Sequence, residues 1–343
     1  MANLYEFLIK DKAGNVIGTL DTAKSRKYGI YLNKAGDASF DISPSDPKVT
    51  GDLLQVGSKE LYINRANKLV WGGELVSRKV EVSDNSEKLS VAVKGFFDLL
   101  SKKIIGSPVS PLVYSGEDAA DIAWDLIDRA QTGTNASLGI TRGAHPATKD
   151  RDRTYDDYKS VKQAIEEMSS TNIKDGFDLD IDANKQFSVY YPKGQYLPDV
   201  IFEWSRNISS FYESQDASNM ANEIIAVGAG MGDQMLVVTR DASSDIQANY
   251  KIRQQTLSYK DVSVSATLQD HADQALSDKQ VQQTIVGLKY KGNMEPAFGS
   301  YTVGDWVRVI IKHGIVQIDQ FYRIQGIKVS IGDGDEEDIE LQF

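Results

Sequence analysis

One pattern of alternating apolar and polar residues is written twice in this chain, near its start and again at its end. The first copy runs from Val56-Gly57 through Trp71, Leu75 and Val80-Glu81-Val82 to Leu89-Ser90-Val91. The second runs from Val303-Gly304 through Phe321, Ile324 and Val329-Ser330-Ile331 to Ile339-Glu340-Leu341. Leu75 to Val80 and Ile324 to Val329 share one spacing, and a polar loop precedes each closing strand. A period of two specifies strands with one buried face. A doubled meander therefore predicts two similar β-domains around something different. Such built-in symmetry suits an assembly component better than an enzyme.

The 343 residues allow two or three domains with real cores. No apolar run reaches the roughly 18 residues of a membrane span. The opening Met1-Ala-Asn-Leu-Tyr-Glu-Phe lacks the basic and apolar regions of a secretory signal, which predicts folding in a cytosol. The absence of cysteine excludes disulfides and thiol chemistry. The formal net charge of −11, from 49 acidic and 38 basic residues, points away from general nucleic-acid binding. It remains compatible with a channel wall that repels phosphate and lets DNA pass.

The first hundred residues read as strands. Phe7-Leu8-Ile9 and Val16-Ile17 flank the hairpin loop Asp11-Lys-Ala-Gly14-Asn15, and Ser43-Pro-Ser-Asp-Pro47 breaks a later strand. After Gly106-Ser-Pro-Val-Ser-Pro111 the pattern becomes helical, with Ser115 ahead of an apolar stripe from Ala119 to Ala130. Glu117, Asp118 and Asp121 fall near the positive end of that helix. The polar stretch from Gly133 to Arg153 reads as a long loop. Ser160 with Gln163 has the spacing of a capping box for a second helix. Phe177–Ile181 and Phe187–Tyr191 read as a hairpin. From about Asn207 strands return, interrupted by one helix from about Ala266 to Ser277. The expected fold is mainly β with an α+β insert: a first β-barrel over 1–104, an α+β domain over 105–206, and a second β-barrel with one helix over 207–343.

No catalytic constellation emerges. Gly228-Ala-Gly230-Met-Gly232 follows a strand but lacks the Lys-Ser or Lys-Thr of a phosphate loop, so strand-turn-strand is the better reading. His145, His271 and His313 are far apart, with no zinc spacing. Asp156-Asp157 and Glu166-Glu167 could serve as glycosidase carboxylates but suit a solvated face. Gly332-Asp-Gly-Asp-Glu-Glu-Asp338 is rich in oxygen ligands for calcium, yet does not match an EF-hand and reads as a hairpin tip. Trp71, Trp124, Trp204 and Trp306 read as core residues. No cofactor, metal or catalytic residue is expected, and the chain reads as a non-enzyme. The competing expectations are a peptidoglycan or polysaccharide hydrolase on a β-scaffold and a carbohydrate-binding adhesion module.

Several motifs occur in a telling order. Near the start stand Asn33-Lys-Ala-Gly36, Asp46-Pro47, Gly57 and Val70-Trp71-Gly72-Gly73-Glu74-Leu75. Asn219 to Gly230 enters the second β-region, and Gly304-Asp305-Trp306-Val, Phe321-Tyr322-Arg323-Ile324 and Ile339–Phe343 close it. This order resembles the tail hub, or minor tail, proteins of long-tailed bacteriophages, related to the central baseplate hub of contractile phages. The resemblance spans nearly the whole chain. It singles out Trp71, Gly72, Gly304, Asp305, Trp306, Tyr322 and Arg323 as structural motif residues. It implies a homotrimer whose two β-barrels per chain form a pseudo-sixfold ring, with the insert projecting. The implied partners are the distal tail or tail tube protein, the tape-measure protein and a receptor-binding fibre or spike. DNA would pass without specific binding, in a virion tail tip assembled in the host cytoplasm. Many such proteins continue into a hydrolase or fibre region, and the stop at Phe343 implies the hub alone.

Overall fold

Alternation in the first hundred residues becomes seven strands: β1 (Tyr5–Lys10), β2 (Val16–Thr19), β3 (Lys24–Tyr31), β4 (Lys34–Ile42), β5 (Glu60–Arg65), β6 (Lys68–Ser83) and β7 (Ser86–Gly95). A computed structural model of the chain describes residues 3–170, 173, 175–260 and 262–343. It is mostly strand, 47% against 16% helix, as the mainly-β expectation with an α+β insert requires. The chain divides into two compact units. The larger holds the residues up to Ser169 together with Phe177–Phe211 and Gly287–Phe343, and the smaller centres on Tyr212–Val286.

A short 3-10 helix (Phe96–Lys102) leads into the insert. There follow β8 (Ile104–Ile105), β9 (Leu112–Asp118), α1 (Ala119–Gln131), β10 (Thr141–Arg142), β11 (Asp150–Tyr155), β12 (Lys159–Ser160), α2 (Val161–Glu166), β13 (Asp178–Ile181) and β14 (Gln186–Tyr190). The stripe Ala119, Ile122, Ala123, Leu126 and Ile127 is buried, packed with Ile165, Phe177 and Phe187. Ser115 precedes this helix but does not cap it. Asp118 does so, its Oδ1 accepting from the Ala120 and Asp121 amides at 2.9 and 3.4 Å. Burial opposes ionisation of Asp118, but these bonds and those from Thr148 outweigh it and hold its carboxyl below the usual range. The stretch Gly133–Arg153 is loop only in part: β10 pairs with β14, and β11 pairs antiparallel with β9. Ser160 caps α2, its Oγ accepting from the Gln163 amide at 3.2 Å. The Gln163 side chain turns to Glu167 at 3.1 Å rather than back to the cap, so only half of a capping box forms.

Next come β15 (Tyr196–Glu203) and β16 (Ser210–Asp216). β15 precedes the point where sequence placed the return to strands. Pro198 hides it: the register against its partner shifts between Leu197 and Ile201, around the residue that cannot donate. In the smaller unit stand β17 (Glu223–Val227), β18 (Val237–Asp241), α3 (Ser244–Asn249), β19 (Gln254–Ser258) and α4 (Ser265–Lys279). The sheet order is β18-β17-β19, with Leu268, Ala272 and Ala275 of α4 packed on Ile224 and Ala226. Of the helices α3 and α4, sequence foresaw only α4. The six-residue α3 buries no side chain, so it carries no apolar stripe to reveal it. The Gly228–Gly232 segment is a strand-turn-strand, its Gly228 amide bonded to Leu236 and its Ala229 amide to Val262.

The closing strands are β20 (Gln283–Lys291), β21 (Trp306–His313), β22 (Val316–Arg323), β23 (Gly326–Ile331) and β24 (Glu337–Gln342). Within the larger unit one sheet runs β2-β1-β5-β6-β7-β4-β3-β23-β24, followed by the Gly287–Lys291 part of β20. The long β6 pairs through its first half with β5 and through its second half with β7. The later copy divides the same run in two: β22 pairs with β21, and β23 with β24. Val80 faces Leu89 in the first copy as Val329 faces Ile339 in the second.

Candidate functional site

The motif residues occupy the joints of the fold. Trp71 is buried and its indole Nε1 donates to the Gly29 carbonyl of β3 at 3.1 Å. Gly72 lies so close to the Phe96 ring that an added Cβ would stand 2.7 Å from it. Gly304 and Gly57 hold matching places in the two copies, at φ of +95° and +69°. The Gly57 amide donates to the Leu75 carbonyl at 2.7 Å, and the Gly304 amide to the Ile324 carbonyl at 2.8 Å. The Leu75 amide returns to Lys59 at 3.0 Å and the Ile324 amide to Asp305 at 2.9 Å. Leu75 and Ile324 are both fully buried. The sequence repeat is thus also a repeat of hydrogen bonds.

Asp305 is buried, and its carboxylate accepts from two backbone amides, Gln195 at 2.9 Å and Thr302 at 2.8 Å. Arg323 donates through Nε to the Gly304 carbonyl at 3.1 Å and through Nη2 to the Lys193 carbonyl at 2.9 Å and to Asp178. Asp178, at 0% exposure, also accepts from Asn33 Nδ2 and from the Lys193 amide, each at 2.8 Å. Asn33 comes from the first β-region, Asp178 and Lys193 from the insert, and Gly304 and Arg323 from the last β-region. Sequence named Arg323 as a motif residue and Asn33 as the start of an opening motif, but not Asp178 as the group that joins them. An acid within the alternation of β13 and an Asn in a tight turn, at φ of +58°, look like surface residues until the chain is folded.

Tyr322 packs its ring 5.5 Å from that of Phe343. Trp306 departs from its expected core place and is 39% exposed. It stacks on Tyr196, with ring centroids 6.3 Å apart, and Phe321 lies 4.4 Å from Tyr196. Trp306 opens a strand whose first side chain falls on the open face, so an apolar neighbourhood in sequence does not become a buried one.

The acidic turn before β24 is a clamp. Asp335 accepts from the Leu4 and Tyr5 amides at 2.6 and 3.2 Å and pairs with Arg26 at 2.8 Å. Glu337 receives Arg65 through Nε and Nη2 at 2.5 and 2.9 Å, and the Tyr5 hydroxyl as well. The hydrogen bond to Glu337 raises the Arg65 pKa further, and burial followed by neighbouring Tyr28 raises that of Tyr5. Two of the carboxylates that suggested calcium, Asp335 and Glu337, are thus engaged by side chains and amides of the first strands, and Asp338 pairs with Lys291 of β20 at 2.7 Å. Among the described residues no group of three or more His, Asp or Glu side chains is set to hold a metal. The histidines are likewise dispersed: His271 stacks on Tyr259, and His313 packs on Trp204 and Phe211. What the motif residues form is a set of structural ties.

No family model matches the chain, and no curated protein matches it. Solved structures do. A tail protein from Neisseria meningitidis aligns with 98% of this chain and 95% of its own, at TM-score 0.65 and 18% identity. The 43 kDa tail protein of prophage MuSo2 from Shewanella oneidensis aligns with 98% and 97%, at TM-score 0.68 and 11% identity. A type VI secretion component of E. coli, described as similar to the T4 bacteriophage tail proteins gp27 and gp5, aligns with 97% and 75%, at TM-score 0.51 and 11% identity. The chain has the fold of phage tail and baseplate-type structural proteins, as the ordered motifs led us to expect.

Proposed function

We propose that this chain is a structural hub of a phage-type tail, in which three copies close into a pseudo-sixfold ring. The observation that carries the reading is the repeated β-hairpin pair within one chain, with its matched Gly57–Leu75 and Gly304–Ile324 bonds and with its closing hairpins β6–β7 and β23–β24 in one sheet. Two similar domains per chain give six similar positions from three chains, which suits a ring stacked on a sixfold tube. In this reading residues 1–104 and 207–343 supply the ring, and 105–206 project from it. The ring joins the tail tube or distal tail protein and the tape-measure protein on one side to a fibre or spike on the other, at the virion tail tip. The net charge of −11 supports a wall past which DNA slides without being held. The work is mechanical, with no turnover. Light scattering of the purified chain, with negative-stain class averages, tests this: three chains and near-sixfold projections are expected. A monomer at assembly-relevant concentration overturns it.

A further inference from the structure

The three strands β15, β21 and β22 form a sheet of their own, with a core side and an open side. Phe202, Val307, Val309 and Ile311 fill the core side and are fully buried. Alternation sends Trp306 and Arg308 to the opposite side. Register then sets Tyr196 opposite Trp306, and Phe321 opposite Arg308. Tyr196 is 59% exposed, more than Trp306. The Tyr196 and Trp306 rings are nearly parallel, at 23°, and the Tyr196 ring also rests against Phe321. Beside the rings, Arg308 donates through Nε to Asp319 Oδ1 at 2.9 Å, with both side chains about two-fifths exposed. A rigid sheet thus presents a flat aromatic patch bordered by a hydrogen-bond donor and an acceptor.

We infer that this face binds an uncharged glycan, a pyranose ring stacking on Tyr196 and Trp306 while Arg308 and Asp319 bond its hydroxyls. The inference does not depend on the ring reading. Three observations choose the occupant. The exposed apolar surface is aromatic, whereas the aliphatic side chains of the adjoining rows, Ile201 and Ile310, are partly buried. The electron-rich face of an aromatic ring attracts the C–H groups that line one side of a pyranose. The charges of these rows are also matched. Arg308 pairs with Asp319, Glu203 with Arg206 at 3.8 Å, and Arg323 turns away to Asp178. Phosphate, an anionic membrane or a charged peptide therefore finds no net attraction there. Finally, the edge beside the patch does not invite a strand. Pro198 lacks an amide donor, and the register of β15 breaks between Leu197 and Ile201, so a protein adding a strand along β15 meets no regular ladder.

Isothermal titration of the full chain with N-acetylglucosamine oligomers and with dextran, both uncharged pyranose chains, tests the site. At least one should bind the wild type. Trp306→Ala and Tyr196→Ala should each weaken that binding roughly tenfold, the size of one aromatic stacking contact, and keep the wild-type circular dichroism. Tyr196→Ala serves as the decisive variant if Trp306→Ala disturbs the fold, because Tyr196 is the more exposed ring. Ile315→Ala, at the fully exposed tip of the same hairpin, should leave binding unchanged. Failure of both glycans to bind at millimolar concentration overturns the inference. Equal binding by wild type and Tyr196→Ala places the sugar elsewhere and overturns it as well. Loss of self-association in the ring variants, without sugar binding by the wild type, identifies the face as a protein interface and has the same consequence.

Discussion

His145 shows how one side chain sets a pH dependence. It sits by the start of α1 with 11% of its side chain exposed, Nε2 standing 3.3 Å from Asp121 Oδ1. Burial, then neighbouring Arg142, lowers its pKa below the ordinary 6.5, with Asp121 and Asp118 opposing. The folded state therefore binds a proton less readily than the unfolded chain does. Its contribution is full above about pH 6.5, the ordinary histidine range, and is lost as the pH falls through and below it. Thermal melts from pH 7.5 to 5.5 should show a steeper loss for the wild type than for His145→Gln. Parallel slopes would refute this account. Asp118, shifted downward, acts the same way only under more acidic conditions, near and below the ordinary carboxyl range.

At the scale of elements, the repeat makes matched substitutions informative. Gly57 and Gly304 both hold left-handed backbone, which costs any residue with a Cβ about 1 kcal/mol. At Gly57 an added Cβ meets nothing within 4 Å, whereas at Gly304 it meets the Lys193 carbonyl oxygen at 2.9 Å. Gly57→Ala should therefore cost about 1 kcal/mol and Gly304→Ala clearly more, measured by urea unfolding. Equal costs would mean that the insert yields freely at Lys193. The same elements show what sequence could reveal. Regular alternation made β6, β7, β23 and β24 legible, because a period of two fixes which residues face the core. Pro198 concealed β15, and α3 offered no apolar stripe. Of the polar ties, Gly304, Asp305 and Arg323 were legible as motif residues. That Asp178 joins Arg323 to Asn33 was not, because each pairing across 145 residues leaves no local pattern.

At the scale of the whole larger unit, the chain is held by ties between its distant parts. The Tyr5 hydroxyl and the Arg65 guanidinium reach Glu337 across 332 and 272 residues. Arg323 reaches Asp178 and Lys193 across 145 and 130. Each tie closes long loops, so the last strands must find the first before the sheet is complete. The Arg323 tie is the more exposed to failure because Asp178 is fully buried. Arg323→Met would keep most of the side-chain volume but leave that carboxylate without the guanidinium, a change that costs about 3–5 kcal/mol at a buried pair. Neutralising the acid as well, with Asp178→Asn, removes the uncompensated charge and should recover a good part of the loss. Chemical denaturation of wild type, both single variants and the double variant closes the cycle. A single-variant loss below about 1 kcal/mol, the range of exposed ion pairs, would show that the joint is held by its backbone bonds and not by Arg323.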